Sequence, residues 1–412
     1  MKFLHAADLH IDSPLRGLDR NEGAPVGEIR GATRRAFSAL IDLALAERVD
    51  FVVLAGDIFD GSWPDVGTGL FFFRELDRLV SEQNTIPVFI ALGNHDAVSR
   101  LTSRMKWPKH IVRFSHDAPQ SEVLEECNVV LHGQSFAMEA VTIDLAASYP
   151  AAHPNRHNIG VLHTALGGHA AHARYAPTTL DILRSKGYDA WCLGHVHERA
   201  VIGRDPLILY PGNIQGRHVN ECGPRGCYII EKVDGGLRET FYPLDVVRWY
   251  VLPIDCADLE SWDAALARIA HEFNTLSEIS DERLICVRIE FSGNTKLNDE
   301  FRQSLADLRA DAIRLAGERN IWVESVRIKT RPPISRHTLA QRADLMADLL
   351  QSLESAHIEG PRRIRIQNAL SDVQLKIPIE VIEAYGTRVD EGTGLDEAID
   401  DAAAILAAYV QR

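Results

Sequence analysis

The alternation of short apolar runs with helical stretches in the first half of the chain limits its fold more than any other feature. Short runs rich in branched side chains predict buried strands, and apolar residues at three- and four-residue spacing predict helices. Strands and helices that alternate in this way are typical of α/β proteins. The predicted strands are 2–7, 51–55, 87–92, 129–132, 158–163, 190–193, 207–210 and 226–231, and the predicted helices are 31–47 and 70–83.

The pattern changes near Val246, where a smaller region begins. Its predicted strands are 249–254, 283–291 and 321–329, and its predicted helices are 259–276 and 297–318. Pro332 and Pro333 then interrupt the chain, because proline donates no backbone hydrogen bond and constrains the residue before it. We therefore expect a first domain at 1–245, a small α+β domain at 246–330 and a mainly helical region at 331–412.

Composition and charge are those of an ordinary folded protein, with 46% hydrophobic and 25% charged residues. The net charge of −14 argues against a protein that coats nucleic acid by bulk electrostatics, although it leaves room for a local DNA site. The six cysteines include no C-x-x-C pair, so reduced thiols are expected. The opening residues do not resemble a signal peptide and no apolar run has the length of a membrane span, so we expect a cytoplasmic protein without a membrane partner.

Potential ligands follow five predicted strands of the first domain. In an α/β sheet, the carboxyl ends of the strands border the crevice in which ligands bind. Residues two apart on an extended segment face the same way, so the pairs Asp8/His10 and His195/His197 are each expected to point into one cavity. The candidates at these strand ends are Asp8, His10, Asp57, Asn94, His95, Asp96, His163, His195 and His197.

This set of donor atoms predicts a centre with two divalent metal ions. Two carboxylates, one amide and four imidazoles are too many ligands for one tetrahedral ion, but they suit two ions that share a carboxylate, for which Asp57 is the obvious bridge. Oxygen and imidazole ligands without thiolates favour Mn²⁺, Fe²⁺ or Zn²⁺. We expect Mn²⁺, with Fe²⁺, Zn²⁺ and Mg²⁺ as alternatives. Each motif alone is more often a turn, a helix cap or a core histidine than a ligand, so the metal interpretation depends on all five occurring together.

The ordered series D-x-H, G-D, G-N-H-D, an isolated histidine and G-H-x-H resembles the calcineurin-like metallophosphoesterases from Met1 to about Asp245. The segments "FLHAADLHIDSPL", "LAGDIFD" and "LYPGNIQGRHVNECGPRGC" look like the SbcD-type DNA repair exonucleases, and closest to their YhaO-like branch. The resemblance implies an α/β fold with a four-layer β-sandwich flanked by helices. It further implies that a small α+β capping domain and a helical C-terminal segment follow the sandwich.

The resemblance also implies roles for individual residues. One metal ion would be held by Asp8, His10, Asp57 and His197, and the other by Asp57, Asn94, His163 and His195. His95 would stay free of metal beside the scissile phosphate as a catalytic residue, with Asp96 as its catalytic partner. The chain departs from the Mre-type nucleases at Asp60, where they often carry a second histidine.

A glycine-rich segment from Tyr210 to Arg217 is expected to contact the substrate. Arginine suits phosphate, so Arg217 is a candidate phosphate-binding residue, and Asn213 is a second candidate substrate-binding residue in the same segment. The alternative is an ordinary turn rich in glycine.

The predicted function is hydrolysis of DNA phosphodiesters by an exonuclease, with 3′–5′ polarity and single-strand endonuclease activity taken from the resemblance. The same source implies DNA and an SbcC-like coiled-coil ATPase as partners, and a homodimer. One alternative is a phosphoprotein phosphatase or small-molecule phosphodiesterase with the same metal site. The other is a DNA-binding subunit without activity.

Overall fold

Two six-stranded sheets form the framework of the chain before Arg248 in the computed structural model, which describes residues 1–15, 23–60, 66–97, 106–167, 175–317 and 319–333. The helical region predicted for 331–412 lies, beyond residue 333, outside the described residues. The strands of the two sheets are β1 Lys2–Ala6, β2 Phe51–Leu54, β3 Val88–Ile90, β4 Ile111–Arg113, β5 Gln120–Leu124, β6 Val129–Gln134, β7 His157–His163, β8 Ala190–Gly194, β9 Ala200–Arg204, β10 Leu207–Tyr210, β11 Gly226–Val233 and β12 Gly236–Pro243.

The two sheets have related topologies, in which parallel strands form the centre. The first sheet has the order β12-β11-β1-β2-β3-β4, and β1 to β4 run parallel to one another. The second has the order β5-β6-β7-β8-β10-β9, with β6, β7, β8 and β10 parallel. Antiparallel strands close the edges at β5, β9 and β12. Parallel strands deliver the loops that follow them to the same edge of their sheet.

The sheets pack face to face through an apolar core. Phe3, Phe51 and Val53 from the first sheet contact Leu131 and Val161 from the second in one buried cluster. Because successive side chains of a strand point to opposite faces, the other faces of both sheets are apolar as well. Those outer faces are covered by helices and loops.

Helices flank the sandwich on both sides. Their bounds are α1 Val26–Arg30, α2 Ala32–Ala46, α3 Val66–Asp77, α4 Asn94–Ala97 and α5 Leu180–Ser185. Phe37 of α2 and Phe72 of α3 pack on the outer face of the first sheet. Leu183 of α5 packs with Trp191 on the outer face of the second. The predicted α/β class and four-layer sandwich are therefore confirmed.

A second compact unit contains the chain from Trp249 together with the segment His218–Cys222. Its three-stranded sheet has the order β13-β14-β15, and Ile269 and Phe273 of its long helix pack against Val287 of the central strand. The elements are β13 Val247–Asp255, α6 Trp262–Ile279, β14 Leu284–Ser292, α7 Asn298–Gln303, α8 Leu305–Ala316 and β15 Ile321–Ile328. The first unit comprises Met1–Arg217 and Gly223–Arg248.

Several elements differ from those predicted. The helix predicted at 70–83 runs instead from Val66 to Asp77, and the helix predicted at 297–318 is interrupted at Ser304. The strands β4, β5, β9 and β12 were not predicted. All four are short or edge strands with partly exposed side chains, so they lack the continuous apolar run that marks the central strands.

Candidate metal centre

The candidate ligands are grouped in the loops that follow five parallel strands, three from the first sheet and two from the second. Strands β1, β2 and β3 lead to Asp8 and His10, to Asp57, and to Asn94. Strand β7 ends at His163, and β8 leads to His195 and His197. Distances between their side chains show that these loops meet in one place.

The loops that carry the ligands are not extended. Asp8, His10 and Asp57 have positive φ values of 52°, 43° and 51°, and His195 has 100°. The pairs Asp8/His10 and His195/His197 were expected to face one way because they would lie on extended segments. The assumption of an extended backbone is therefore wrong. The backbone N–H of Asp8 donates to Gly56 O and that of His10 donates to Asp57 O, so the loops after β1 and β2 hold each other. Left-handed backbone at non-glycine residues is uncommon and concentrates at functional sites.

Glycines allow the two sheets to approach closely at this edge. Gly56 has a φ of 93°, and a Cβ there would overlap the imidazole of His163. Gly93 faces the carboxylate of Asp57, and a Cβ would overlap that side chain as well. These positions require glycine for space, and Gly56 requires it also for its backbone conformation.

The first ligand group consists of Asp8, His10 and His197, each of which offers one donor atom within 4.8 Å of the others. The Nε2 atoms of His10 and His197 are 3.2 Å apart. Oδ1 of Asp8 lies 3.9 Å from Nε2 of His197. Two imidazole nitrogens and a carboxylate therefore face a common point.

The second ligand group consists of Asp8, Asp57 and His163. Nε2 of His163 lies 3.4 Å from Oδ2 of Asp57 and 3.0 Å from Oδ1 of Asn94. Nδ1 of His163 is 2.9 Å from Ala55 O, and a proton on Nδ1 donated to that carbonyl leaves Nε2 as the donor atom for a metal ion. Oδ2 of Asp57 is also 3.8 Å from Nε2 of His10, so this carboxylate touches both groups.

The burial of the Asp8 and Asp57 carboxylates favours a bound cation at this site. Asp8 and Asp57 are each 1% exposed, and an unpaired buried carboxylate is costly. Burial raises the pKa of Asp8. Burial acts in the same direction on Asp57, but the imidazole of His163 outweighs it and holds the pKa of Asp57 below its usual range. Burial lowers the pKa of His10 to about 3, so its nitrogens are neutral donors, as metal ligands must be.

The neighbouring carboxylate of Asp57 favours the charged form of His163. Burial opposes its charge, but Asp57 raises the pKa of His163 to about 9. A cation that binds between these two side chains would replace the proton of that charged form. The donor set and its burial therefore fit divalent metal ions.

His195 occupies a different position from the other imidazoles. Its backbone N–H donates to the carboxylate of Asp8 at 3.1 Å, and its ring lies 5.2 Å, centre to centre, from the ring of His163. Tyr175 packs on its ring at 4.8 Å. In the described part of the chain, His195 belongs to none of the compact ligand groups, so its role as a ligand stays a prediction.

His95 stands beside the ligands with 40% of its side chain exposed. Its Nδ1 lies 2.8 Å from Oδ1 of Asp60, and its backbone N–H donates to Asp57. Burial works against its charge, but the hydrogen bond with Asp60 and the charge of Asp57 raise the pKa of His95 to about 9. The imidazole is therefore protonated at neutral pH.

Asp60 is the site residue that the sequence interpretation left without a role. Besides His95, its carboxylate accepts a hydrogen bond of 2.6 Å from Ser13 Oγ and lies 3.8 Å from Nδ1 of His10 and 3.9 Å from Nη1 of Arg217. Its spacing from Asp57 was visible as "GDIFD", but it was treated only as a departure from related nucleases. The signal available in the sequence was the pair Asp57 and Asp60, which lie three residues apart on one loop.

The contacts described for Asp96 are with backbone groups, so its role as the partner of His95 stays a prediction. Its buried carboxylate accepts hydrogen bonds from the backbone N–H groups of Ile58, Phe59 and Gly93. Burial and the charge of Asp57 raise the pKa of Asp96 to about 7. Asp96 therefore holds the β2 and β3 loops together.

Arg217 reaches the centre, whereas Asn213 does not face solvent. Nη2 of Arg217 lies 3.2 Å from Nδ1 of His197. Asn213 is 1% exposed, its amide donates to Gln215 O, and its Oδ1 accepts from Arg225. The amide of Asn213 is engaged within the loop, and substrate binding by Asn213 stays a prediction. Arg225 also donates to the backbone carbonyl of His197, so this segment supports a ligand.

The chain is similar to known metallophosphoesterases, which is consistent with a metal centre at this site. Residues 1–199 match the family model described as calcineurin-like phosphoesterase, and residues 249–331 match the middle domain of metallophosphoesterase YhaO. An uncharacterized metallophosphoesterase YhaO from Bacillus subtilis is 30% identical over 335 residues, which cover 78% of this chain and 80% of that protein. The SbcD subunit of the nuclease SbcCD from Staphylococcus saprophyticus is 24% identical over 274 residues, covering 60% of this chain and 70% of that one.

Among solved structures, a dimetal phosphatase from Danio rerio is similar at 12% identity with a TM-score of 0.37, covering 59% of this chain and 96% of that one. That likeness is too low to carry an argument. Within the described ranges, no helix combines the length and apolar character that crossing a membrane requires. The two family models and the relative from Bacillus subtilis all indicate a metallophosphoesterase. The candidate ligand groups agree with that family, because they could hold metal ions. The chain belongs to the calcineurin-like metallophosphoesterase family, within its YhaO- and SbcD-like members.

Proposed function

We propose that this metallophosphoesterase hydrolyses DNA phosphodiesters as an exonuclease, with 3′–5′ polarity and a second, endonuclease activity on single strands. The observation that carries the proposal is the meeting of two ligand groups that share Asp8, beside a protonated and accessible His95. Membership of the family implies hydrolysis of phosphoesters. The choice of DNA is supported by the similarity to the SbcD subunit of the nuclease SbcCD.

Seven side chains would hold two divalent ions, for which we propose manganese. Asp8, His10, Asp57 and His197 would hold one ion, and Asp57, Asn94, His163 and His195 would hold the other. Divalent ions held by these side chains would supply Lewis-acid chemistry, which activates water and compensates the charge of the phosphate. The contacts of Asp57 with both His10 and His163 support its role as the shared ligand.

His95 would supply the proton that the leaving oxygen needs. Asp60 binds Nδ1 of His95, so Nε2 is left for the substrate, and the ring is oriented by a carboxylate that Ser13 holds in turn. A positioned general acid contributes about 10²–10⁴-fold to a rate. Burial opposes the charge of His95, but the hydrogen bond with Asp60 and the charge of Asp57 raise its pKa, which favours the protonated ring that a general acid requires.

The remaining regions have proposed roles as well. The unit that begins at Trp249 would guide DNA toward the centre, and residues beyond 331 would bind an SbcC-like coiled-coil ATPase. We also propose a homodimer and a cytoplasmic location. The match of residues 249–331 to the middle domain of YhaO supports a separate role for that unit, and the similarity to the SbcD subunit of a nuclease supports DNA and an ATPase partner.

The test is hydrolysis by the purified full chain, stripped with chelator and reloaded with Mn²⁺. The substrates are end-labelled single- and double-stranded DNA, bis-p-nitrophenyl phosphate and a phosphoserine peptide. We expect stepwise loss of nucleotides from the 3′ end, and none without metal or in Asp57→Asn. A protein that cleaves the peptide or the small diester but neither DNA is a phosphatase or small-molecule phosphodiesterase. A protein that binds DNA and Mn²⁺ but cleaves nothing is a binding subunit.

A further inference from the structure

Tyr175 lies at the edge of the candidate metal centre, against the ring of His195. The two ring centres are 4.8 Å apart, and the ring planes are tilted by 41°. The ring of His195 lies in turn 5.2 Å, centre to centre, from the ring of His163. Tyr175 is only half-buried. An aromatic side chain is therefore accessible next to two of the candidate ligands.

The backbone of Tyr175 is fixed to the loop that follows β7. The N–H of Ala165 donates to Tyr175 O at 3.0 Å, and Thr164 Oγ1 donates to the carbonyl of the next residue, Ala176, at 2.6 Å. His163 is the residue before Thr164, so one loop positions both a candidate ligand and the aromatic ring.

The hydroxyl group of Tyr175 distinguishes it from the tyrosines that serve the core. Tyr149, Tyr188 and Tyr210 belong to the apolar cluster on the outer face of the second sheet, and each donates its hydroxyl to a backbone carbonyl. Buried tyrosines ordinarily have such a partner. Tyr175 packs at the border of this cluster, and no described residue hydrogen-bonds its hydroxyl. Its side chain therefore has a different role from those of the core tyrosines.

We propose that Tyr175 is a stacking platform for a nucleobase next to the scissile phosphate. This inference rests on the proposed DNA hydrolysis, and it adds how the centre holds a strand without reading its sequence. Every base has a π-face, so stacking on an aromatic side chain tolerates any sequence, and it strengthens binding by about fivefold or more per base. A base is joined to its phosphate through one sugar, so a phosphate at the centre brings a base close to the ring beside His195.

The first test compares the hydrolysis of intact single-stranded DNA with that of the same strand lacking one base. The full chain is loaded with Mn²⁺, and a tetrahydrofuran nucleotide replaces in turn each of the two nucleotides that flank the scissile phosphate. For the wild type, kcat/KM should fall about fivefold or more on one of these abasic strands.

Two variants show whether Tyr175 causes this difference. Y175L keeps an apolar side chain against the cluster but has no aromatic face. Its kcat/KM on intact DNA should be as low as that of the wild type on the abasic strand, with little further loss when the base is absent. Y175F keeps the ring and should discriminate between the two strands as the wild type does.

Metal content separates stacking from simple support of His195. A ring that only held His195 in place would leave Y175L with less bound Mn²⁺ and with equal losses of activity on both strands. Stacking predicts instead that Y175L retains as much Mn²⁺ as the wild type, measured by metal analysis after dialysis. The matched control is Y242L, because Tyr242 is also half-buried but lies on the edge strand β12, where its hydroxyl donates to Glu47. Y242L should discriminate against the abasic strand as the wild type does.

Fluorescence provides a readout that needs no hydrolysis. The strand carries 2-aminopurine at the position flanking the scissile phosphate, and chelator prevents turnover. Stacking on an aromatic ring quenches the fluorescence of this base. Binding of the wild type or of Y175F should therefore quench it more strongly than binding of Y175L.

Three outcomes would overturn the platform while DNA hydrolysis by the wild type stands. These are equal hydrolysis of intact and abasic strands by the wild type, undiminished discrimination by Y175L, and loss of metal from Y175L with equal losses of activity on both strands. Failure of the wild type to hydrolyse DNA would instead contradict the proposed function. The 2-aminopurine signal then decides on the platform alone, because quenching that does not depend on Tyr175 would overturn it.

Discussion

Nδ1 of His95 and Oδ1 of Asp60 are 2.8 Å apart, which places a negative charge directly behind the exposed imidazole of the centre. Asp60 lies three residues after Asp57 on the loop that follows β2, so one loop provides both a candidate metal ligand and a carboxylate for His95. The contact decides the protonation state of His95.

Asp60→Asn keeps the size of the side chain but removes the charge that helps to keep His95 protonated. The pKa of His95, raised to about 9 in the wild type, should fall in the variant. His95 then loses its proton at lower pH, so the alkaline limb of the pH–rate profile for DNA hydrolysis should move to lower pH. At about pH 8 we expect kcat to fall about 10²-fold, the contribution of a general acid. The control is Asp42→Asn, which breaks an exposed ion pair with Arg78 and should leave the pH–rate profile unchanged. If the alkaline limb of the profile does not move in Asp60→Asn, Asp60 has no part in the mechanism.

Asp8→Asn should have opposite effects on stability without and with metal. Burial raises the pKa of Asp8, so its charge destabilises the folded metal-free protein at neutral pH. In chelator, the variant should therefore have a larger free energy of unfolding than the wild type, measured as a higher urea midpoint. The difference in unfolding free energy between the variant and the wild type should decrease as the pH falls, because a group with a raised pKa takes up its proton first in the folded state.

With Mn²⁺ at a hundred times its Kd, the wild-type protein should gain about 2.7 kcal/mol and the Asp8→Asn variant much less. The order of stability of the two proteins should then reverse. Urea unfolding with and without Mn²⁺ measures both halves of this prediction. A variant that is less stable than the wild type under both conditions would show that the Asp8 carboxylate stabilises the fold by itself.

His5→Leu should make the protein less sensitive to acid. His5 is fully buried on β1, and burial lowers its pKa from the ordinary 6.5 to about 3. Between these values the unfolded chain binds a proton that the folded protein does not, so the wild type loses stability as the pH falls, by about 1.4 kcal/mol per pH unit from this group. The difference in unfolding free energy between variant and wild type should rise with that slope below about pH 6. Parallel curves for the two chelator-treated proteins would contradict this account.

Gly56→Ala should disrupt the centre through a clash rather than through backbone strain alone. A methyl group at this position would overlap His163, and Gly56 also has a φ of 93°. Gly235→Ala is the matched control, because Gly235 has a φ of 97° and nothing lies within 4 Å of the added Cβ. We expect the control to lose about 1 kcal/mol of stability. Gly56→Ala should lose more and should bind substoichiometric Mn²⁺, as measured by metal analysis after dialysis; equal losses in both variants would contradict the clash.

The strand ends and their ligands were predictable because buried strands have continuous apolar sequences. The run that ends at Leu92 and the cluster Asn94-His95-Asp96 that follows it are visible in the sequence alone. The edge strands β5 and β12 were missed because their side chains alternate between partly buried and exposed, which leaves no continuous apolar run.

The conformations within the loops were not predictable from residue spacing. Asp8 and His10 were expected to face one way on an extended segment, but they lie on left-handed backbone that is held by hydrogen bonds from the loop of another strand. The hydrogen-bond partners of Asp96 and Asn213 were not predictable for a similar reason. Their side chains bind groups of nearby loops, and the sequence does not state which loops come together.

The candidate ligands belong to both halves of the sandwich: Asp57 follows a strand of the first sheet, and His163 ends a strand of the second. Any loosening of the packing between the sheets would separate these two side chains, even if no ligand were altered. The amount of bound metal would then report whether the two sheets are correctly packed. Substitutions in the core, far from the centre, would first reduce the number of ions that the protein retains.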